Sequence, residues 1–121
     1  MTETDLMFVP VATVKATRPF WELFLRARAV ENHMFVAAAS RIGEDRGGAP
    51  GAFYYGESLI IDPMGEIKAH GSATSEDLVW ADLDLEVAMR QRKRWSYFQA
   101  RVPDAYAPIN APVSKIYSGQ E

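Results

Sequence analysis

Leu6-Met7-Phe8-Val9-Pro10 and Met34-Phe35-Val36-Ala37-Ala38-Ala39 are two short apolar runs that flank a segment of helical periodicity. In that segment Phe20, Leu23, Phe24, Ala27 and Val30 recur at three- and four-residue intervals, while Glu22 and Arg26 sit four apart on the wetter side. Wholly apolar runs of this length suit strands buried on both faces, and Pro10 stops the first of them. Thr17 is placed to cap the helix, with Pro19 in its first turn, where a missing N–H is harmless. Strand, helix and strand in succession predict a parallel pair joined by a crossover.

Outward from this unit, residues 40–51 are polar and carry Gly47, Gly48, Pro50 and Gly51, which predicts a loop. Residues 53–62 read as a further strand. Asp62-Pro63-Met64-Gly65 then has Asp, Pro and Gly where a type I turn prefers them, and Ile67 and Ala69 alternate with Glu66, Lys68 and His70. Residues 59–69 are therefore expected to form a hairpin. A strand over 78–83 follows, and Asp84 is placed to cap a short helix over 85–94, closed by Arg90, Arg92, Lys93 and Arg94 where cations offset the helix dipole. Pro103, Pro108 and Pro112 predict an extended tail from residue 95 to 121. The fold class is α+β with a mixed sheet. Its two expected helices suffice for one sheet face, so the other face needs the tail or a partner to cover it.

The chain has 121 residues, 48% hydrophobic and 24% charged, which describes one soluble globular unit of which residues 1–94 form the body. A domain of this size buries roughly two-thirds of its unfolded surface. A net charge of −3 and a pI near 5.4 argue against nucleic acid as a partner. No apolar run approaches the ~18 residues of a membrane span, and the acidic start has no basic segment leading into an apolar one. Cytoplasm is the expected compartment. With no cysteine there is no disulfide, thiolate metal site or cysteine nucleophile.

Isolated motifs point to no active site. Gly56-Glu57-Ser58 lacks the second glycine of a nucleophile elbow, since Ile60 stands there, and the glycines at 47, 48 and 51 lack the Lys-Ser/Thr of a phosphate loop. Asp82 and Asp84 have no third metal ligand at matching spacing, and His33 and His70 have no cysteine or spaced histidine beside them. The basic run 90–94 with Trp95, Tyr97 and Phe98 reads as a solvated helix end or, less in keeping with a net acidic chain, as a base-stacking surface.

In combination, several pieces carry a resemblance. Asp5-Leu6-Met7, Pro10, Trp21-Glu22, Arg26-Ala27-Arg28-Ala29-Val30-Glu31-Asn32, Gly56-x-Ser58, Asp62-Pro63-x-Gly65-Glu66, Asp84-Leu85 and Arg101-x-Pro103-x-x-Tyr106 together resemble the C-terminal part of the carbon-nitrogen hydrolase (nitrilase-like) superfamily over residues 4–107. The resemblance implies half of an α-β-β-α sandwich, its mixed sheet covered by helices on one face. It implies hydrolysis of a small amide, nitrile or N-carbamoyl substrate without cofactor or metal, by a cysteine nucleophile, a lysine and a glutamate. Those three motifs have no counterparts in this chain, and Glu31 is not the family's base, so no catalytic residue is assigned and the chain alone is expected to be inactive. The resemblance also implies that Val11, Ala12 and Thr13, after the first strand, border the substrate pocket, Thr13 being the only polar side chain of the three; a plain loop fits the same residues. It further implies a homo-oligomer with the helix near the interface. An association module that pairs with itself or with a full-length homologue is the alternative. Glu57, where histidine or a small residue is usual, and the glycine-rich segment 46–51 depart from the family pattern.

Overall fold

The computed structural model describes residues 4–44 and 53–110, and its regular elements follow in the order β1 (Leu6–Val11), α1 (Arg18–Asn32), β2 (Phe35–Ser40), β3 (Ile42–Glu44), β4 (Phe53–Tyr55), β5 (Leu59–Ile61), β6 (Ile67–His70) and α2 (Glu86–Arg94). β1 and β2 run parallel, in register from Leu6 opposite Phe35 to Val11 opposite Ser40, and α1 is their crossover. β5 continues the sheet antiparallel to β2, and β6 antiparallel to β5, which gives the mixed order β1-β2-β5-β6.

Leu25 and Ala29 of α1 pack on Met34, Val36, Ala38, Leu59 and Ile61, with Met7, Val9 and Trp21 at the margin. Every strand residue in that set points to the same side, as the two-residue strand period requires. Leu6, Phe8, Pro10, Ala37, Ala39 and Ile60 point to the other. There Phe8 is 74% exposed, Pro10 and Ala39 are exposed, and Leu6, Ala37 and Ile60 are half-buried, while Phe35, opposite Leu6 at the start of β2, is buried. One helix covers one face only.

The ends of α1 are closed by different devices. Thr17 stands at its N-cap but does not cap it: a 3-10 turn over Lys15–Thr17 already holds Thr17 in helical backbone geometry, and its hydroxyl donates to the Val14 carbonyl at 2.8 Å. At the other end His33 adopts a left-handed conformation, φ 47°, with its N–H on the Val30 carbonyl at 3.2 Å and the Met34 N–H on Ala29 at 3.1 Å. His33 is buried, its Nε2 lies 3.2 Å from the Trp95 carbonyl oxygen, and its ring stacks on Tyr97 at 4.8 Å, so the turn out of α1 also grips the chain beyond α2.

The expected hairpin forms, and Asp62 organises its turn. Its carbonyl accepts the Gly65 N–H at 2.9 Å, while its buried carboxylate accepts the N–H groups of Met64 and Glu66, each at 2.9 Å. Gly65 has φ +82°, and a Cβ there would lie 2.9 Å from Val30 Cγ2, so the glycine serves both the turn and its seat against α1.

Four expectations change. Ser40 of the expected loop ends β2, and residues 42–44 form β3, because Ile42 to Glu44 pair with β4 in a separate two-stranded sheet; residues 45–51 lie outside the described residues. The expected strand over 53–62 is two, since Gly56 and Glu57 both take positive φ, at 67° and 58°, and turn the chain from one sheet to the other. Residues 78–83 keep the strand's alternation, with Leu78 86% and Trp80 73% exposed and Val79, Ala81 and Leu83 half-buried, but they pair with no neighbour. Within the expected extended tail, Pro103–Asn110 winds into a 3-10 helix, whose looser bonding pattern tolerates Pro108.

Asp84 does cap the first turn of α2, accepting the Glu86 N–H at 3.1 Å, and it receives Arg90 Nη2 at 2.7 Å. Arg92 Nη1 reaches back 2.7 Å to Asp5 Oδ1, fastening α2 to the start of β1. The Arg90 guanidinium holds the Asp84 carboxyl below the usual carboxylate range, against an opposing desolvation and with further help from the Glu86 N–H. A depressed carboxyl contributes stability that is present above its unfolded pKa and lost as pH falls through the folded one. Helicity of α2 should therefore fall between about pH 4 and lower values, and Asp84→Asn should flatten that acid limb by circular dichroism. Asp62→Ala, which strips two part-buried N–H groups of their acceptor, should cost about 1 kcal/mol in urea unfolding.

Candidate functional site

The parallel pair places the carboxyl ends of β1 and β2 side by side, the end of an open α/β sheet at which ligands bind in general. Val11, Ala12 and Thr13 leave β1 there; Ser40 and Arg41 leave β2, with the Arg41 N–H on the Val11 carbonyl at 2.9 Å. β5 runs opposite to β2, so its beginning arrives at the same end: the Ser40 N–H donates to Ser58 Oγ at 3.1 Å and Gly71 N–H to the Ser58 carbonyl at 2.8 Å. β4 closes the far side through the bridge between Val14 and Tyr54.

A cavity of about 330 Å³ opens here, lined by Ser40, Arg41, Ile42, Gly56, Ser58, Gly71, Ser72 and the segment 75–77. Ser72 structures its wall, its hydroxyl accepting the Thr74 and Ser75 N–H groups, each at 3.1 Å, and its own N–H donating to Asp77 at 3.1 Å. Gly56 permits the close approach of that wall, since a Cβ would lie 2.7 Å from the Ser72 carbonyl oxygen. Val11, Ala12 and Thr13 border this end of the sheet but are not lining residues of the cavity.

Three buried hydroxyls around this end have no hydrogen-bond partner among the described residues: Thr13 Oγ1, Ser40 Oγ and Tyr55 OH. Buried hydroxyls are ordinarily satisfied, and an orphan costs about 1–3 kcal/mol. Thr13 and Tyr55 face each other one step along from the Val14–Tyr54 bridge, and Ser40 sits opposite Val11. The arrangement offers donors and acceptors to a polar ligand or to further polypeptide. Thr13 was legible from sequence; Ser40 and Tyr55 were not, because nothing in a lone serine or tyrosine announces that its strand ends at this point.

The remaining sequence candidates lie elsewhere or are engaged. The Ser58 hydroxyl is an acceptor for backbone, and Glu31 is ion-paired with Arg28 on the outside of α1. Arg90 is held by Asp84 and Glu86, Arg92 by Asp5, and Arg94 lies over Trp95 at 5.7 Å, so these cations are engaged within the fold. Glu57 receives Arg18 through two contacts, one of them Nε to Oε2 at 2.9 Å, and this pair holds Glu57 in its positive-φ conformation beside the cavity. Among the described residues no helix is long and apolar enough to cross a membrane, and no three His, Asp or Glu side chains gather as a metal site.

A parallel pair with its crossover helix, extended by an antiparallel hairpin and with a polar end, is the α+β architecture of the nitrilase-like hydrolases. Residues 3–93 match the carbon-nitrogen hydrolase family model, and the chain belongs to that family. It is 34% identical over 111 residues to the deaminated glutathione amidase of Bos taurus, covering 91% of this chain and 33% of that protein. It is 35% identical over 106 residues to omega-amidase NIT2 of Homo sapiens, covering 85% and 36% respectively. Among solved structures, a carbon-nitrogen hydrolase from Helicobacter pylori superposes with a TM-score of 0.78 at 24% identity over 88% of this chain and 41% of that one. Nit3 of Saccharomyces cerevisiae does so at 0.63 and 32% identity, over 74% and 32%. The chain spans about a third of the length of the curated relatives it matches.

Thr13→Val keeps the side-chain shape and removes one orphan hydroxyl. It should raise the unfolding free energy by about 1 kcal/mol in denaturant titration; a loss of similar size would mean that the hydroxyl already has a partner.

Proposed function

We propose that this chain forms the C-terminal portion of a carbon-nitrogen hydrolase acting on a small amide, nitrile or N-carbamoyl substrate. The observation that carries this reading is the sheet face bearing Phe8, exposed in a chain that spans a third of its amidase relatives. A second sheet laid on that face would complete an α-β-β-α sandwich and remove the apolar patch from water. The remainder of the enzyme would bring the cysteine, lysine and glutamate; this chain has no cysteine.

In this reading the chain's own part in the reaction is to shape and polarise the pocket. Val11 and Ala12 border the substrate's apolar part, and the unpartnered Thr13 hydroxyl donates to or accepts from its polar group. Ser40, opposite Val11 on the adjacent strand β2, offers a second such hydroxyl. Such groups orient the scissile carbon and exclude water, while acyl transfer belongs to the thiolate supplied by the rest of the enzyme. No step requires a cofactor. The compartment proposed is the cytoplasm, where a thiol nucleophile stays reduced.

The second reading, an association module, draws on the crest of α1. Phe20, Leu23 and Phe24 are 55%, 63% and 58% exposed, and the two phenylalanine rings stack at 6.4 Å. We take this crest as the contact between copies in a homo-oligomer, which serves either reading. The chain alone should hydrolyse neither propionamide nor N-carbamoyl-alanine, and adding the separately expressed N-terminal portion of a related amidase should restore turnover. Hydrolysis by the isolated chain would overturn the proposal. Phe24→Asp should convert a dimer to a monomer in sedimentation at micromolar concentration; an unmodified chain that sediments as a monomer would remove the oligomer.

A further inference from the structure

A larger cavity, of about 640 Å³, lies along α1, and of its lining residues only Leu23 has a part in the function proposed above. At 100° per residue, Arg18, Glu22 and Arg26 fall within about 80° of one another, on the side of the helix that begins at the core stripe of Leu25 and Ala29 and away from the crest of Phe20 and Phe24. Facing them across the cleft are Glu57, Leu59 and His70, and Pro19, Trp21 and Leu23 complete the wall.

The cleft's charges balance, but its hydrogen-bonding groups do not. Glu57 is taken by Arg18, and Glu22 receives Arg26 Nη1 at 3.1 Å, so both carboxylates already have cationic partners. Arg26 Nε is directed to the Gly65 carbonyl at 2.8 Å, which fixes the plane of its guanidinium. Each guanidinium has five N–H groups and uses only part of them in these contacts, leaving Arg18 Nη1 and Arg26 Nη2 without a partner among the described residues. The Trp21 indole N–H, on the same wall, is buried and has no partner either. The remaining capacity is thus mainly that of donors, set beside the apolar sides of Pro19, Trp21, Leu23 and Leu59.

We propose that this cleft binds a small carboxylate with a short aliphatic body. Its carboxylate oxygens accept from the free edges of Arg26 and Arg18, beside the buried Trp21 indole, and its alkyl part lies on Pro19 and Leu59. A volume of this size is ordinary for small-molecule sites. A guanidinium held in plane by a carbonyl and a carboxylate is pre-organised for such a planar anion. A neutral amide of the same shape offers one acceptor in place of two and no charge, so it binds more weakly.

The test uses the full chain labelled with nitrogen-15, with butyrate and butyramide as probes. Trp21→Phe assigns the Trp21 indole resonance by its disappearance. Butyrate should shift that resonance along a saturable curve, with butyramide at least roughly tenfold weaker, the equivalent of about 1.4 kcal/mol. Arg26→Gln should weaken butyrate by a comparable factor, and its spectral dispersion reports whether it folds. Should that variant unfold, the comparison of the two probes on the unaltered chain decides alone. No movement of the Trp21 resonance with butyrate, or equal binding of acid and amide, would overturn the site.

Discussion

The structure depends on one crossover: α1 must lie across β1 and β2 for the two strands to run parallel, and in doing so it can bury only one side of them. Leu25 and Ala29 provide the helix side of that contact, and Val36, Ala38 and Ile61 the sheet side. The small residues at 29 and 38 let helix and sheet approach closely. The same geometry leaves Phe8, Pro10 and Ala39 exposed on the reverse face. It also places the ends of β1 and β2 together, with Ser58 beside them, so the polar end of the sheet is a consequence of the crossover and not an independent feature.

The crossover was legible because its signals are local and repetitive: apolar runs of strand length on either side of a helical period, with Pro19 as punctuation; Pro10, expected to stop the first strand, does not, since β1 runs through it to Val11. The hairpin was legible for a related reason, since Asp62, Pro63 and Gly65 encode their turn within four residues, and Asp62 does so through its own carboxylate. What failed were boundaries set by distant partners. Nothing near residues 78–83 says that their alternating pattern will lack a neighbour to pair with, and nothing near Gly56 says that two sheets meet there. Thr17 was misread in mechanism because the preceding 3-10 turn had already fixed its backbone.

For the site, sequence reasoning reached only as far as a resemblance could carry it. Val11, Ala12 and Thr13 were named through the family pattern, and the structure places them at the carboxyl end of β1. Ser40 and Tyr55 emerged only when strand register brought them to the same end. Glu57 is a further case: its departure from the family pattern is visible in one letter, yet its consequence, a bidentate pair with Arg18 that spans 39 residues, is visible only in three dimensions.

The account's central claim is that the face bearing Phe8 seats the rest of a hydrolase sandwich. Isothermal titration of the N-terminal portion of a related amidase against this chain, and against Phe8→Glu, tests it directly. Phe8 points away from the core, so the substituted chain should keep its circular dichroism and lose binding by more than tenfold, about 1.4 kcal/mol or more. Equal binding by the two folded chains would contradict the claim.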